Sequence, residues 1–172
     1  MPTALQLAAG DAALQQRVRD CRRLLTKRAL MAAAASAVPL PGLDWAVDAA
    51  LLTRLLPEIN AQFGLTPHQL ARLPAQQRHD VERAASVVGS VVIGRLVTRE
   101  LVIRVAKTVG VRMTAAQAAK YVPLAGQAVA AVMGYAALRY LGEEHIKDCV
   151  RVVLETHLAL PAPEPEVLEL SD

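Results

Sequence analysis

Apolar positions along this chain recur mostly with a spacing of three and four. That is the period of an amphipathic helix, not the alternation of a strand. Leu14, Val18, Cys21, Leu25 and Ala29 form one stripe, with Asp11 placed as the N-cap. Arg17, Arg19, Arg22, Arg23, Lys27 and Arg28 cover the other faces of the same segment. The charges then stop. No ionisable side chain occurs from Ala29 to Leu43, and Val38-Pro39-Leu40-Pro41-Gly42 breaks that stretch. Two prolines and a glycine cannot continue a helix, so the chain turns there. A second stripe, Val47, Leu51, Leu55, Ile59 and Phe63, predicts a helix from Leu43 or Asp44. Pro57 should kink or restart it, and Gly64 should end it as the C′ residue.

Thr66-Pro67-His68-Gln69 has the form of a capping box with proline at N1, opening a short helix to about Leu73. From Gln76 to Val109 the pattern predicts one long helix. Val81, Val88, Val92 and Leu96 line one side, and Glu100–Arg104 fall at i,i+4. Its β-branched middle, Val87 to Val97, would suit a strand by propensity alone. Gly110 breaks the helix, and Thr114 caps a short one through Tyr121. Val122-Pro123-Leu124-Ala125-Gly126 then repeats the first proline turn and leads into a last helix from about Leu124 to Leu158. The expectation is an all-α bundle of five to six helices in a single domain, 1–160. Residues 161–172, PAPEPEVLELSD, read as a disordered acidic tail.

Composition sharpens this picture. Hydrophobic residues make up 53% of 172 and aromatics only 3%, so the apolar content is mainly Ala, Val and Leu. Mean hydropathy is +0.29. Net charge is +3, with four acids (Glu164, Glu166, Glu169, Asp172) in the tail. Without those four, the 16 acids fall to 12 against 19 bases, a net of +7. A basic body suits anionic lipid or an acidic protein partner. Nucleic acid is not expected, because the bases are not interleaved with aromatics and no binding motif is present.

Membrane contact is suggested by two patterns. Ser86, Ser90 and Gly94 recur every four residues, and so do Gly126, Ala130 and Gly134. Small residues at that spacing let helices approach closely. Basic clusters at 17–28 and at Arg95, Arg99, Arg104, Lys107, Arg112 and Lys120 precede the two proline turns, as on the cytoplasmic side of apolar segments. Yet the charge-free stretch Tyr121–Leu138 sits at the lower length limit for a spanning helix and contains a proline. Each apolar segment therefore fits a buried core helix, a re-entrant hairpin or an interfacial segment. No basic leader opens the chain, so no secretory signal is expected.

No phosphate loop, GxGxxG, HExxH or GxSxG motif occurs. His68, His79, His145 and His157 look scattered, and Cys21 and Cys149 form no CxxC, so neither a metal nor a cofactor is expected. Asp44 and Asp48 share a helix face, where helix-dipole stabilisation explains them more simply than catalysis. Pro39, Pro41, Gly42, Asp44, Pro123 and Gly126 are read as turn residues. Ser86, Ser90, Gly94, Ala130 and Gly134 are read as helix-packing residues.

The run KRALMAAAASAVPLPGLDWAVDAALLTRLLPEINAQFGLT resembles the helical domain of YcjF-like proteins. There an Ala-rich helix leads to a Pro-x-Pro-Gly-x-Asp turn and a helix ending at an aromatic-Gly pair, here Pro39, Pro41, Gly42, Asp44 and Phe63-Gly64. The segment AKYVPLAGQAVAAVMGYAALRYLGEEHIKDC is similar to that family's Lys-x-x-Pro-x-x-Gly hairpin and to the EcsC-type helical domain. The likeness spans roughly residues 25–155. It implies a membrane-associated helical module without catalytic residues, in a family where the domain often follows an Era-like GTPase. This chain has no such GTPase domain, and Pro57 departs from the pattern. The function expected is a non-enzymatic module at the cytoplasmic face of the inner membrane, partnering a GTPase or itself. A soluble, cytoplasmic interaction protein and a pore-forming bundle are the alternatives.

Overall fold

The computed structural model describes residues 2–35, 44–90, 92–95, 97, 98, 101 and 126–162. Six helices are described: α1 (Ala4–Leu7), α2 (Ala12–Ala35), α3 (Asp44–Gln62), α4 (Pro67–Ala71), α5 (Ala75–Val88) and α6 (Gly126–Thr156). No strand occurs among the described residues. The protein is thus all-α. The turns at Pro39, Pro41, Gly42 and Pro123 and the short helix expected from Thr114 lie outside them, as do residues 163–172 of the tail.

Local signals set the helix ends. The Asp11 carboxylate accepts from the Leu14 amide at 2.9 Å and so caps α2. Thr66 caps α4 in a full capping box with Gln69, with Pro67 in the first turn. A second box, Thr3 with Gln6, opens α1. Helix α3 continues through Pro57 without restarting. It ends in a Schellman motif: Leu65 N–H donates to the Asn60 carbonyl at 2.9 Å and Gly64 N–H to Ala61 at 3.2 Å. Gly64 takes φ +74°, the left-handed value this motif needs.

Packing follows the apolar stripes. Leu14, Val18, Cys21, Leu25 and Ala29 of α2 are all at most 1% exposed. The first four share one core cluster with Leu55 and Ile59 of α3, Phe63 just beyond it, Val81 and Ala84 of α5, and Ile146, Cys149, Val150 and Val152 of α6. Full burial of one such large aliphatic contributes about 1.5–3 kcal/mol. Helices α2 and α6 run antiparallel in close register. Arg22 forks onto Glu143 (Nε 3.0 Å, Nη2 2.9 Å), and Arg139 donates to the Thr26 hydroxyl one turn further along. Between these pairs Leu25 lies over Gly142. A Cβ on Gly142 would stand 2.5 Å from Leu25 Cδ1 and 3.1 Å from its Cγ. Leu25 is fully buried and has nowhere to move. Gly142→Ala is therefore expected to destabilise by about 1–2 kcal/mol, since overpacking outweighs the better helix propensity of alanine. Urea denaturation checks this, and Leu25→Ala in the same chain should cancel most of the added clash.

The long helix expected from Gln76 to Val109 is corrected by the structure. Helix α5 stops at Val88, where Gly89 adopts φ +78°. Ser90 N–H donates to Ala85 and Gly89 N–H to Ser86, a second Schellman motif. Ser90 and Val92–Arg95 then follow as turns. The Gly94 amide donates to the Leu65 carbonyl at 3.1 Å, and Ile93 is 4% exposed, so this loop is pinned over the α3–α4 connection.

The chain also folds back at its other end. His157 closes α6 with φ +49°, a left-handed value unusual for a side chain with a Cβ, and Leu158 N–H returns to Val153 at 3.2 Å. Leu158 and Leu160 pack on the core. Pro161 lies against Gly64, its Cδ 3.4 Å from a Cβ built there, and its carbonyl accepts from Arg17. Arg17 also donates to Gln62 at 2.8 Å. The packed part of the chain thus includes Pro161. Replacing His157 by glycine relieves the left-handed strain and is expected to stabilise by about 0.5–1 kcal/mol, read as a raised urea midpoint.

Candidate functional site

Two places concentrate unusual features. The first is one end of the bundle. Because α2 and α6 are antiparallel, the last turns of α2 and the first turns of α6 lie at the same end. A small core cluster marks the approach to it: Ala29, Leu52, Leu56, Val92 and Leu138. Helix α3 also starts from this end, since Leu52 and Leu56 join that cluster while Phe63 reaches the main core. The described parts of the two uncharged segments, residues 29–35 and 126–138, are thus brought to one pole of the fold. Leu30 and Met31 are each 56% exposed there, and Tyr140 is 57% exposed. Arg23, Lys27 and Arg54 are exposed on the helices leading to it.

The second place is a polar knot inside the core. Asn60 of α3 is 1% exposed and His145 of α6 is 6% exposed. His145 Nε2 lies 2.9 Å from Asn60 Oδ1, and Asn60 Nδ2 donates to the Val92 carbonyl at 3.2 Å. The Cys149 thiol donates to the same Asn60 oxygen at 3.7 Å and lies 3.7 Å from His145 Nε2. With Asn60 oriented to serve Val92, its oxygen accepts, so Nε2 carries the imidazole proton. Burial holds His145 down to about 4, because the protonated ring would lose its water. Burial and the neighbouring Asp20 charge push Cys21 up to about 12, and burial pushes Cys149 well up too. At neutral pH the knot is uncharged. It ties α3, α6 and the loop after α5, and it presents no thiolate for nucleophilic or ligand chemistry.

The residues singled out in the sequence fall as follows. Asp44 begins α3 and Gly126 begins α6. Ala130 and Gly134 lie within α6, four residues apart on one face. Ser86, Ser90 and Gly94 do not share a helix: Ser86 is in α5, and the other two lie in the loop beyond Gly89. Gly94 still permits a close approach, since a Cβ there would stand 2.8 Å from Leu70 Cδ1. Four residues carry roles that the sequence pattern did not show. Asn60 interrupts an apolar stripe. His145 and Cys149 are one helical turn apart, a spacing that could have shown they were not scattered. Gly142, the glycine at the α2–α6 contact, lies beyond the small-residue run that was read.

A cleft of about 480 Å³ is lined by Pro67, Leu70, Arg78, His79, Glu82 and Gly94 among others. Among the described residues no group of three His, Cys, Asp or Glu side chains could hold a metal ion. Among them, too, no helix is long and apolar enough to cross a membrane. The chain matches no family model, no curated protein and no solved structure.

Proposed function

We propose that this chain is a non-enzymatic helical module that docks its uncharged end on the cytoplasmic face of the inner membrane. The observation that carries this reading is that the described parts of both charge-free segments, residues 29–35 and 126–138, lie at one pole of the bundle. Exposed Leu30, Met31 and Tyr140 stand there, and exposed Arg23, Lys27 and Arg54 lie behind them. Basic side chains near an anionic surface each contribute about 1 kcal/mol, and apolar residues at the headgroup boundary add to that. The likeness to YcjF-like and EcsC-type helical domains supports the same reading. It also makes a separate GTPase, or a second copy of the chain, the protein partner to test.

The experiment is flotation of the purified chain with vesicles, beside fractionation of cells with salt and carbonate washes. Binding to anionic vesicles is expected, with little to neutral ones and a marked loss in about 0.5 M salt. Leu30→Glu with Met31→Glu should weaken it while circular dichroism stays unchanged. Recovery wholly in the soluble fraction, with no vesicle binding, overturns the reading in favour of a soluble interaction module. Release of trapped dye would instead indicate a pore-forming bundle.

A further inference from the structure

At the far end of α6 a second apolar surface is open. Val87 and Val88 at the end of α5, with Arg151, Leu154 and Glu155 of α6, line a groove of about 610 Å³. Val87 is 73% exposed and Leu154 is 39% exposed. Single exposed apolar residues are ordinary, but here two helices bring theirs together beside charges of both signs. Arg151 and Glu155 stand one turn apart on α6, with Leu154 between them. Arg151 already meets Asp148 at 3.4 Å, an i,i+3 contact along the helix edge that leaves Glu155 outward.

That charge order is self-complementary. If a second α6 is laid antiparallel about a two-fold axis beside Leu154, Arg151 of each copy faces Glu155 of the other. One operation makes both ion pairs and buries Leu154 and Val87 against their counterparts. A parallel arrangement would oppose Arg151 to Arg151 and Glu155 to Glu155. We propose that this groove is a homodimer interface, closed by an antiparallel α6–α6 contact flanked by α5. The proposal stands apart from membrane docking, because the groove lies at the opposite end of α6 from the uncharged pole. Five lining residues make a small patch beside the roughly 800 Å² per partner of a standard interface, so affinity is modest, with a dissociation constant on the order of 1–100 µM.

Sedimentation equilibrium of the full chain over a concentration series tests it. A reversible monomer–dimer equilibrium in that range is expected. Leu154→Arg should raise the dissociation constant at least about 100-fold, with thermal unfolding unchanged. Arg151→Glu and Glu155→Arg should each weaken the dimer about tenfold, and the two together should restore wild-type affinity. The double charge exchange keeps the test decisive if Leu154→Arg folds poorly. A wild-type chain that stays monomeric throughout, a dimer indifferent to Leu154→Arg, or a double exchange that fails to restore pairing overturns the proposal.

Discussion

Asn60→Ala is expected to lower stability by about 2–3 kcal/mol. The side chain is small, so lost burial explains little of it. The cost comes from what remains. The Val92 carbonyl loses its Asn60 donor and keeps only the Arg95 amide at 3.4 Å, and His145 loses the oxygen 2.9 Å from Nε2 and keeps only the Cys149 sulfur at 3.7 Å. An orphaned buried polar group costs about 1–3 kcal/mol, and here two buried groups are left with long, weak partners alone. Asn60→Leu does not escape the penalty, because it removes the same two hydrogen bonds. Urea denaturation at pH 7 should show the midpoint falling with an unchanged slope. A loss below about 1 kcal/mol would mean that water enters and serves both groups. Because Val92 belongs to the loop after α5, amide hydrogen exchange in residues 92–95 should also quicken in the variant.

How much of this fold could be read in advance divides along a physical line. Features whose cause lies within a few residues were legible. Asp11 caps α2, the Thr66 box opens α4, and Gly64 closes α3, because each is a contact between the backbone and a side chain or glycine three to five residues away. The α2 stripe was legible for a related reason. One buried face imposes a period on the sequence whatever buries it. The α5 error was also local. Gly89 sits in a valine-rich run with no proline or second glycine beside it, and the apolar spacing persists across it. Val92 is indeed buried, at 6% exposure, but from a loop. Apolar periodicity reports burial, and burial alone does not distinguish helix from a pinned turn.

Contacts between distant residues left a fainter trace. Nothing within ten positions of Asn60 announces that its amide will meet a histidine 85 residues away. The same holds for Gly142, whose lack of a side chain matters only because Leu25 arrives opposite it. The small-residue runs drew notice through their repetition, whereas a single glycine at a helix crossing has no repeat. At the uncharged pole the composition of the two segments was plain. That residues 29–35 and 126–138 share one end follows from the antiparallel register of α2 and α6, set by the pairs Arg22–Glu143 and Arg139–Thr26 and by Leu25 over Gly142.

Acidification should reveal two groups on α6, the buried His145 and the half-buried Asp148, that act in opposite directions. His145 is held at about 4 in the fold against an ordinary 6.5, its burial being the cause. Between those values the unfolded chain takes up a proton that the folded chain refuses. Stability therefore rises with pH through this window and falls on acidification, by about 3 kcal/mol for the full 2.5-unit difference. Asp148 behaves the other way. Burial pushes it up to about 6 from 3.8, with Glu144 adding to the rise while Arg151 and Lys147 oppose it. Between 6 and 3.8 the folded chain binds the proton more readily, so this group adds stability as pH falls. The wild-type profile should therefore be shallow between pH 6 and 4. Asp148→Asn separates the two effects. It is expected to exceed the wild type in stability at pH 7, where it removes a poorly solvated carboxylate, and to lose that advantage by pH 4 because its profile then follows His145. Urea midpoints of both proteins at pH 7, 5.5 and 4 make the comparison, and the remaining carboxylates cancel between them. Parallel curves would refute the assignment to Asp148. A His145 ring resonance that titrates near 6.5 in the folded protein would refute the other half.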